Sequence, residues 1–300
     1  MNLARTVAEL RSVLAARRDA GETVALVPTM GSFHDGHLAL MRAARSACDC
    51  VVVSLFVNPT QFGAGEDLAA YPREEERDAE LATGEGVDVL FAPSVDEVYP
   101  EGFATTVSVG GVSEVLCGDA ERRGRDHFDG VTTVVCKLFN MVAPDVAFFG
   151  RKDAQQVVVI ERMVRDLDIP VRIETVPTVR EPDGLALSSR NAYLDPAERD
   201  RATALSRALT AAERAVAAGT TDAAAVLAAA RGELDAAGIE PEYLELRSAR
   251  DLAPVERVNG STLLAVAARV GRARLIDNTV LTSDATVSRP GTPRQGVLPR

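Results

Sequence analysis

The sequence predicts an α/β protein: a Rossmann-like parallel sheet domain with helices on both faces, followed by a smaller α+β domain. Three observations carry that expectation. Over the first 180 residues, short β-branched or aromatic runs alternate with helix-like stretches. Most of those runs are nearly continuously apolar, as strands covered on both faces must be, whereas half-wet antiparallel strands alternate. From about residue 195 the texture changes to alanine-rich helices and then three strand-like runs. The boundaries that follow are 1–185 for the first domain and 186–284 for the second. Residues 285–300, with three prolines and few apolar anchors, are expected to form a disordered tail.

The elements follow in order. The N-terminal "MNLARTVAELRSVLAARRDAGE" is an amphipathic pattern broken by charges, without the unbroken apolar core of a secretory signal. Strands are expected at 23–29, 50–58, 87–93, 146–150 and 171–178, several ending at Pro, Gly or Asn. Between the first two, "HLALMRAARSAC" confines its polar residues to one stripe, which marks a helix starting at about Gly36 or His37. The acidic run "PREEERDAE" (72–80) reads as a solvated helix face. Beyond 195, helices over 195–219 and 222–238 each finish at a glycine, and "PEYLELRS", "STLLAVAARVG" and "RARLIDNTVL" read as strands.

Composition narrows the function. A formal charge of −11 disfavours a nucleic-acid-binding protein, although a local cluster of donors can still bind a small anion. Without a run of 18 apolar residues no membrane span is expected, and a cytoplasmic protein is the default. The cysteines at 48, 50, 117 and 136 have neither zinc-site spacing nor disulfide density, and are expected to be small buried thiols.

Two scarcities point to chemistry. Only three histidines occur, and two of them, His34 and His37, share the turn "MGSFHDGH" after the first strand predicted for the sheet. A strand–turn–helix junction gathers backbone N–H groups at one point, which suits phosphate, and imidazoles there add donors. A shuffled chain of this composition gives H-x-G-H roughly once in several hundred trials. Zinc would want further ligands, and none is visible nearby. Lysine occurs only at 137 and 152 in a chain that otherwise uses arginine, which marks both positions for attention.

H-x-G-H after a first strand resembles the nucleotidylyltransferase and class I aminoacyl-tRNA synthetase superfamily. Its members pair it with a second phosphate-gripping loop, and "REPDGLALSSRNAYL" (180–194) stands in that place. The match narrows further. "VPTMGSFHDGHLAL", "SLFVNPTQFGAGEDLAAYPR", "FFGRKDAQQ", "VPTVREPDGLALSSRNAYLDP", "YLELR" and "LLAVAARVGRARLIDN" run in family order over about 23–280. Together they resemble the pantoate–β-alanine ligase (pantothenate synthetase) family.

The resemblance implies that ATP and Mg2+ activate pantoate to pantoyl-adenylate, after which the amine of β-alanine displaces AMP. It implies catalytic roles for His34, His37, Lys152, Ser188, Ser189 and Arg190. ATP would lie against Met30, His37, Gly150, Lys152, Asp153, Val179, Leu187, Ser188 and Arg190. Pantoate would lie against Met30, Asn58, Gln61, Gln156 and His127. Asp78 matches a family acidic position and is a candidate Mg2+ ligand, although binding through the phosphates is the preferred reading. A homodimer is implied as well.

Two departures stand out. Family members carry R-P-x-H-F-x-G, whereas this chain reads "RRGRDHFDG", with Gly124 at the arginine's place, so that Arg123 or Arg125 must substitute. Leu187 replaces the usual Met before Ser-Ser-Arg, which keeps the apolar volume. A plain adenylyltransferase would leave the two glutamines and the second domain unexplained. A silent nucleotide-binding regulator would need a broken phosphate site, yet its elements are all present.

Overall fold

The computed structural model describes residues 1–63 and 68–283. The expected tail therefore lies outside the described residues. Six strands form one parallel sheet: β1 (Asn2–Ala4), β2 (Val24–Thr29), β3 (Cys50–Leu55), β4 (Val89–Phe91), β5 (Val146–Gly150) and β6 (Arg172–Val176). Their order is β1-β4-β3-β2-β5-β6, every neighbouring pair parallel. The helices of this part are α1 (Val7–Asp19), α2 (Asp35–Ala47), α3 (Glu75–Gly84), α4 (Val95–Val98), α5 (Arg125–Val142) and α6 (Ala154–Asp166).

Alternation within the strands builds two cores, because successive side chains point to opposite faces. Val24, Leu26, Val52, Phe91 and Phe149 face α1, α5 and α6. Ala25, Val27, Val51, Val53 and Phe148 face α2 and α3. Both faces are covered, which is why these strands read as continuous apolar runs. β1 is an addition to the expected strands. It is a three-residue edge strand beside β4, too short to leave a periodic trace ahead of α1.

The chain then builds α7 (Pro196–Ala202), α8 (Ala204–Ala217), α9 (Ala223–Ala236) and an antiparallel sheet of β7 (Pro241–Ser248), β8 (Ser261–Val270) and β9 (Ala273–Thr282). The single helix expected over 195–219 is divided at Thr203, whose hydroxyl donates to the Asp200 carbonyl at 2.6 Å. A third core, drawn from Leu185 to Leu281, fills the space between these helices and one face of the sheet. The other face, through Tyr243, Leu263, Ala265 and Ala267, joins the first core. β8 is consequently buried on both sides over Thr262–Ala268.

The four cysteines carry free thiols, with Cys48, Cys50 and Cys117 buried and Cys136 half-buried. No helix among the described residues is long and apolar enough to cross a membrane.

Candidate active site

In a doubly wound sheet the ligand crevice opens beyond the carboxyl ends of the strands, where the strand order reverses. Here the chain leaves β2 for β3 on one side and later returns to place β5 on the other. The turn after β2 and the turn after β5 therefore flank the reversal, and they carry His34, His37 and Lys152.

The first turn is built as a rigid frame. Gly31 has φ 87° and Ser32 φ 54°, left-handed values that strain a serine. The strain is held by Asp78, whose two carboxylate oxygens each accept a backbone N–H at 2.7 Å, one from Ser32 and one from Phe33. Phe33 then plugs the core at 1% exposure. One expectation changes here. The acidic run is not wholly solvated, because Asp78 turns inward and is 1% exposed. Asp78 borders none of the cavities that meet at Lys152, and both its oxygens hold the loop it shapes. Among the described residues no group of three or more His, Cys, Asp or Glu is arranged to hold a metal ion.

α2 begins at Asp35, one or two residues earlier than its pattern suggested, because His34 itself is the N-cap. His34 Nδ1 accepts the N–H of Gly36 at 3.1 Å, and His37 Nδ1 accepts the N–H of His34 at 3.3 Å. This reciprocal box has imidazoles where Ser and Glu usually stand. With both Nδ1 atoms accepting, each neutral ring carries its proton on Nε2, and the two rings lie 4.2 Å apart. Gly36 serves the box, since a Cβ there would come within 2.9 Å of the His34 ring. Burial, helped by the charge of Lys152, lowers the pKa of His34 to about 4. Burial first, then His34 and Lys152, lowers that of His37 to about 3. Both histidines are thus neutral donors at neutral pH.

Across the crevice, a short turn over Arg151–Asp153 follows β5 and presents Lys152. Lys152 Nζ donates to the Leu187 carbonyl at 3.3 Å, tying this turn to the 188–190 loop. Asn278 on β9 donates to the carbonyls of Arg151 and Lys152 at 3.0 and 2.7 Å. β9 therefore helps to position the lysine, a role that no local motif announced. Ser188 caps the turn over Ser189–Tyr193 by accepting the Arg190 N–H at 3.3 Å. Lys137, the other lysine, lies outside this site, 4.5 Å from the Phe103 ring centroid.

Four connected cavities meet at Lys152 and Asp153, the smallest of about 50 Å³. One of about 220 Å³ is walled by Met30, His34, His37, Gln61, His127 and Gln156, with Ser188, Ser189 and Arg190 at its edge. A slot of about 140 Å³ runs past Gly150, Val179 and Leu187. A third, of about 380 Å³, opens toward β8 and β9. Asn58, expected against pantoate, also borders the first cavity, but its amide is already engaged. It is 1% exposed; its Nδ2 donates to Gln61 Oε1 and the Gly130 carbonyl, and its Oδ1 accepts from Thr60 and Tyr99. With both its donors engaged, Asn58 holds Gln61, which borders the cavity. Gln155, beside the expected Gln156, is buried and fastens the 112–117 segment through Val112, Val115 and Cys117.

The two candidate rim arginines have different partners. His127 Nδ1 donates to the Gln61 carbonyl at 2.7 Å, so its Nε2 accepts from Arg123 Nη1 at 3.2 Å. Arg123 borders the first and third cavities. Arg125 instead turns to Ser108, Glu114 and Asp129.

Fold and crevice together define a doubly wound α/β protein with an anion-receiving site at its switch point. The sequence pattern of the pantoate-beta-alanine ligase family matches residues 2–280. The pantothenate synthetase of Moorella thermoacetica is 55% identical over 282 residues, 94% of this chain and 99% of that protein. That of Cereibacter sphaeroides is 56% identical over 275 residues, 91% and 97% of the two chains. The crystal structure of pantothenate synthetase from Thermus thermophilus superposes with a TM-score of 0.89 at 48% identity, covering 94% of this chain and 100% of that one. The pantoate-beta-alanine ligase from Francisella tularensis, complexed with beta-gamma ATP and beta-alanine, gives 0.76 at 32% identity, covering 93% and 97%. The chain belongs to the pantoate–β-alanine ligase family, and it is an acid–amine ligase of pantothenate formation.

Proposed function

We propose that this enzyme condenses pantoate with β-alanine through a pantoyl-adenylate, consuming ATP and releasing AMP and pyrophosphate. The observation that carries this is the meeting of the three larger cavities at Lys152 and Asp153. A carboxylate must reach the α-phosphorus from one side, the nucleoside must lie along a second direction, and pyrophosphate must leave along a third.

Pantoate fits the 220 Å³ cavity, where Gln61 and Gln156 offer amides and Met30 an apolar wall. An amide binds a carboxylate or hydroxyl without adding a competing charge. Adenosine fits the slot, with Asp153 accepting from ribose hydroxyls and Gly150, Val179 and Leu187 against the ring system. The α-phosphate then sits among His34 and His37 Nε2–H, Lys152 Nζ, the Ser188 and Ser189 hydroxyls and Arg190. These groups stabilise charge that builds as the carboxylate attacks. Neutral imidazoles donate to the phosphate without trapping the incoming carboxylate as an ion pair. Mg2+, when bound, would offset phosphate charge alongside Lys152 and Arg190. In the second half-reaction the β-alanine amine attacks the acyl carbon, and proximity in a closed site supplies most of the acceleration. Arg123, seated on His127 at the rim, is placed to meet the β-alanine carboxylate.

We assign residues 1–185 to the ATP- and pantoate-binding unit and 186–284 to a lid that contributes the 188–190 loop. The assembly is a homodimer in the cytoplasm, and light scattering should give twice the 31.8 kDa chain mass. The decisive assay supplies ATP, Mg2+ and pantoate, with and without β-alanine. Pantoate-dependent exchange of labelled pyrophosphate into ATP is expected without β-alanine, and AMP with pantothenate only when it is added. Absence of exchange at saturating substrates overturns the adenylate.

A further inference from the structure

The third cavity is the largest of the three, and neither the acid nor the nucleoside is assigned to it. It is divided from the acid-binding cavity by Lys152, Ser188, Arg190 and Arg123, which border both. The histidines border only the acid side, whereas Arg269, Arg272 and Arg274 border only the far side. Six cationic side chains thus surround one cavity, in a chain whose net charge is −11. The carboxylates on its wall are Asp153 and Asp277. Asp277 is already bonded in bidentate fashion to Arg180, at 2.6 and 3.0 Å.

The three β8–β9 arginines are not equivalent. Arg274 is committed, with Nε on Glu242 at 2.7 Å. Arg269 reaches the same carboxylate only at 4.0 Å and is largely exposed. Arg272, at the hairpin tip, has no carboxylate partner among the described residues, and its guanidinium lies 5.3 Å from the Tyr193 ring centroid. Stacking on an aromatic ring holds the fork's plane while leaving its N–H edge available. Two arginines at the mouth of a cationic cavity are therefore positioned without being neutralised. Such an arrangement suits a compact polyanion with oxygens on two centres.

We propose that Arg269 and Arg272, on the β8–β9 hairpin, form a receiving site for the pyrophosphate that leaves ATP. This rests on the adenylate-forming reading above. A pantoate carboxylate oxygen forms its bond to the α-phosphorus as the bond from that phosphorus to the α,β-bridging oxygen breaks. The bridging oxygen keeps the electron pair, and pyrophosphate departs opposite the attack. With the acid on the histidine side of the Lys152–Ser188–Arg190 partition, the opposite side is this cavity. The hairpin would thus stabilise negative charge that moves away from the α-phosphorus, and the second domain becomes part of the leaving-group machinery.

The test uses the full-length enzyme and the double variant Arg269→Gln/Arg272→Gln. In the pyrophosphate–ATP exchange assay, the pyrophosphate concentration for half-maximal exchange should rise by about tenfold. That for pantoate should stay within about twofold. An unchanged pyrophosphate dependence in the variant overturns the proposal. Calorimetric titration with pyrophosphate alone separates this from failure of the adenylate reading. If the wild type shows no exchange yet binds pyrophosphate, and the double variant binds it about tenfold more weakly, the site stands without the reaction. Equal binding by both proteins removes the site whatever the reaction is. Both side chains are exposed, and circular dichroism should show the variant folded.

Discussion

The turn after β2 and the β8–β9 hairpin approach the same crevice from different sheets, and they are built in opposite ways. The turn is over-determined: Asp78 holds two of its amides, Phe33 anchors it in the core, and the two histidines cap each other's helix start. Its donors are uncharged. The hairpin places long, exposed, permanently charged arginines on a flat antiparallel pair. Fixed neutral donors suit the place where bonds change and an incoming anion must not be trapped. Cationic side chains on rotatable stems suit a charged product that must first be received and then released.

The largest effect expected from breaking this division is at Lys152, where the two sides join. Lys152→Ala should lower adenylation by about 10³-fold while the protein stays folded, measured by pyrophosphate exchange alongside circular dichroism. Near-normal turnover would show that the junction lies elsewhere.

At His34 the cap and the chemistry can be separated. His34→Ala should lose about 1 kcal/mol of stability with the cap and about 10²-fold in adenylation. His34→Asn should recover the melting temperature, because Asn caps well, but not the rate. If Asn restores both, His34 is a structural residue only.

Protonation offers a third test. Both histidines titrate below their ordinary 6.5, at about 4 and about 3, so the folded state binds fewer protons than the unfolded chain in this range. Their contribution to stability is complete above pH 6.5 and is lost as pH falls through those lower values. A melting-temperature profile should therefore drop on the acid side, and His37→Asn should flatten the drop. An unaltered acid limb in that variant would mean that His37 is not held neutral by the fold.

Asp78→Asn should cost about 1–2 kcal/mol, since an amide can accept from one of Ser32 and Phe33 but opposes the other. The Mg2+ concentration for half-maximal rate should not move. A large shift in it would return Asp78 to the metal. The smallest contrast is at the rim: Arg123→Ala should raise the KM for β-alanine several-fold, and Arg125→Ala should change it by less than about twofold.

The relation of sequence to site follows from how far apart the cooperating residues lie. His34, His37, Lys152 and the 188–190 loop stand out locally, because each combines an uncommon residue with a strand end or a domain junction. Asn58 and Gln61 stand out equally, yet only the packed turn shows that one holds the other. Asp78 looks like a solvated or metal-binding carboxylate for the same reason, since its partners lie 45 and 46 residues away. Arg123 and Arg125 are indistinguishable in sequence until α5 is docked and one of them meets His127.

By itself, the sequence determined the parallel sheet, its covered faces, the antiparallel second part and the residue types that gather at the strand ends. Hydrophobic periodicity and chain-local turn chemistry are short-range signals, and they survive in one dimension. The tertiary structure alone decided which imidazole nitrogen carries the proton, that both rings are neutral, which arginine turns inward, and that β9 steadies the lysine's turn. Those properties depend on burial and on partners brought from distant segments, and neither exists until the chain has folded.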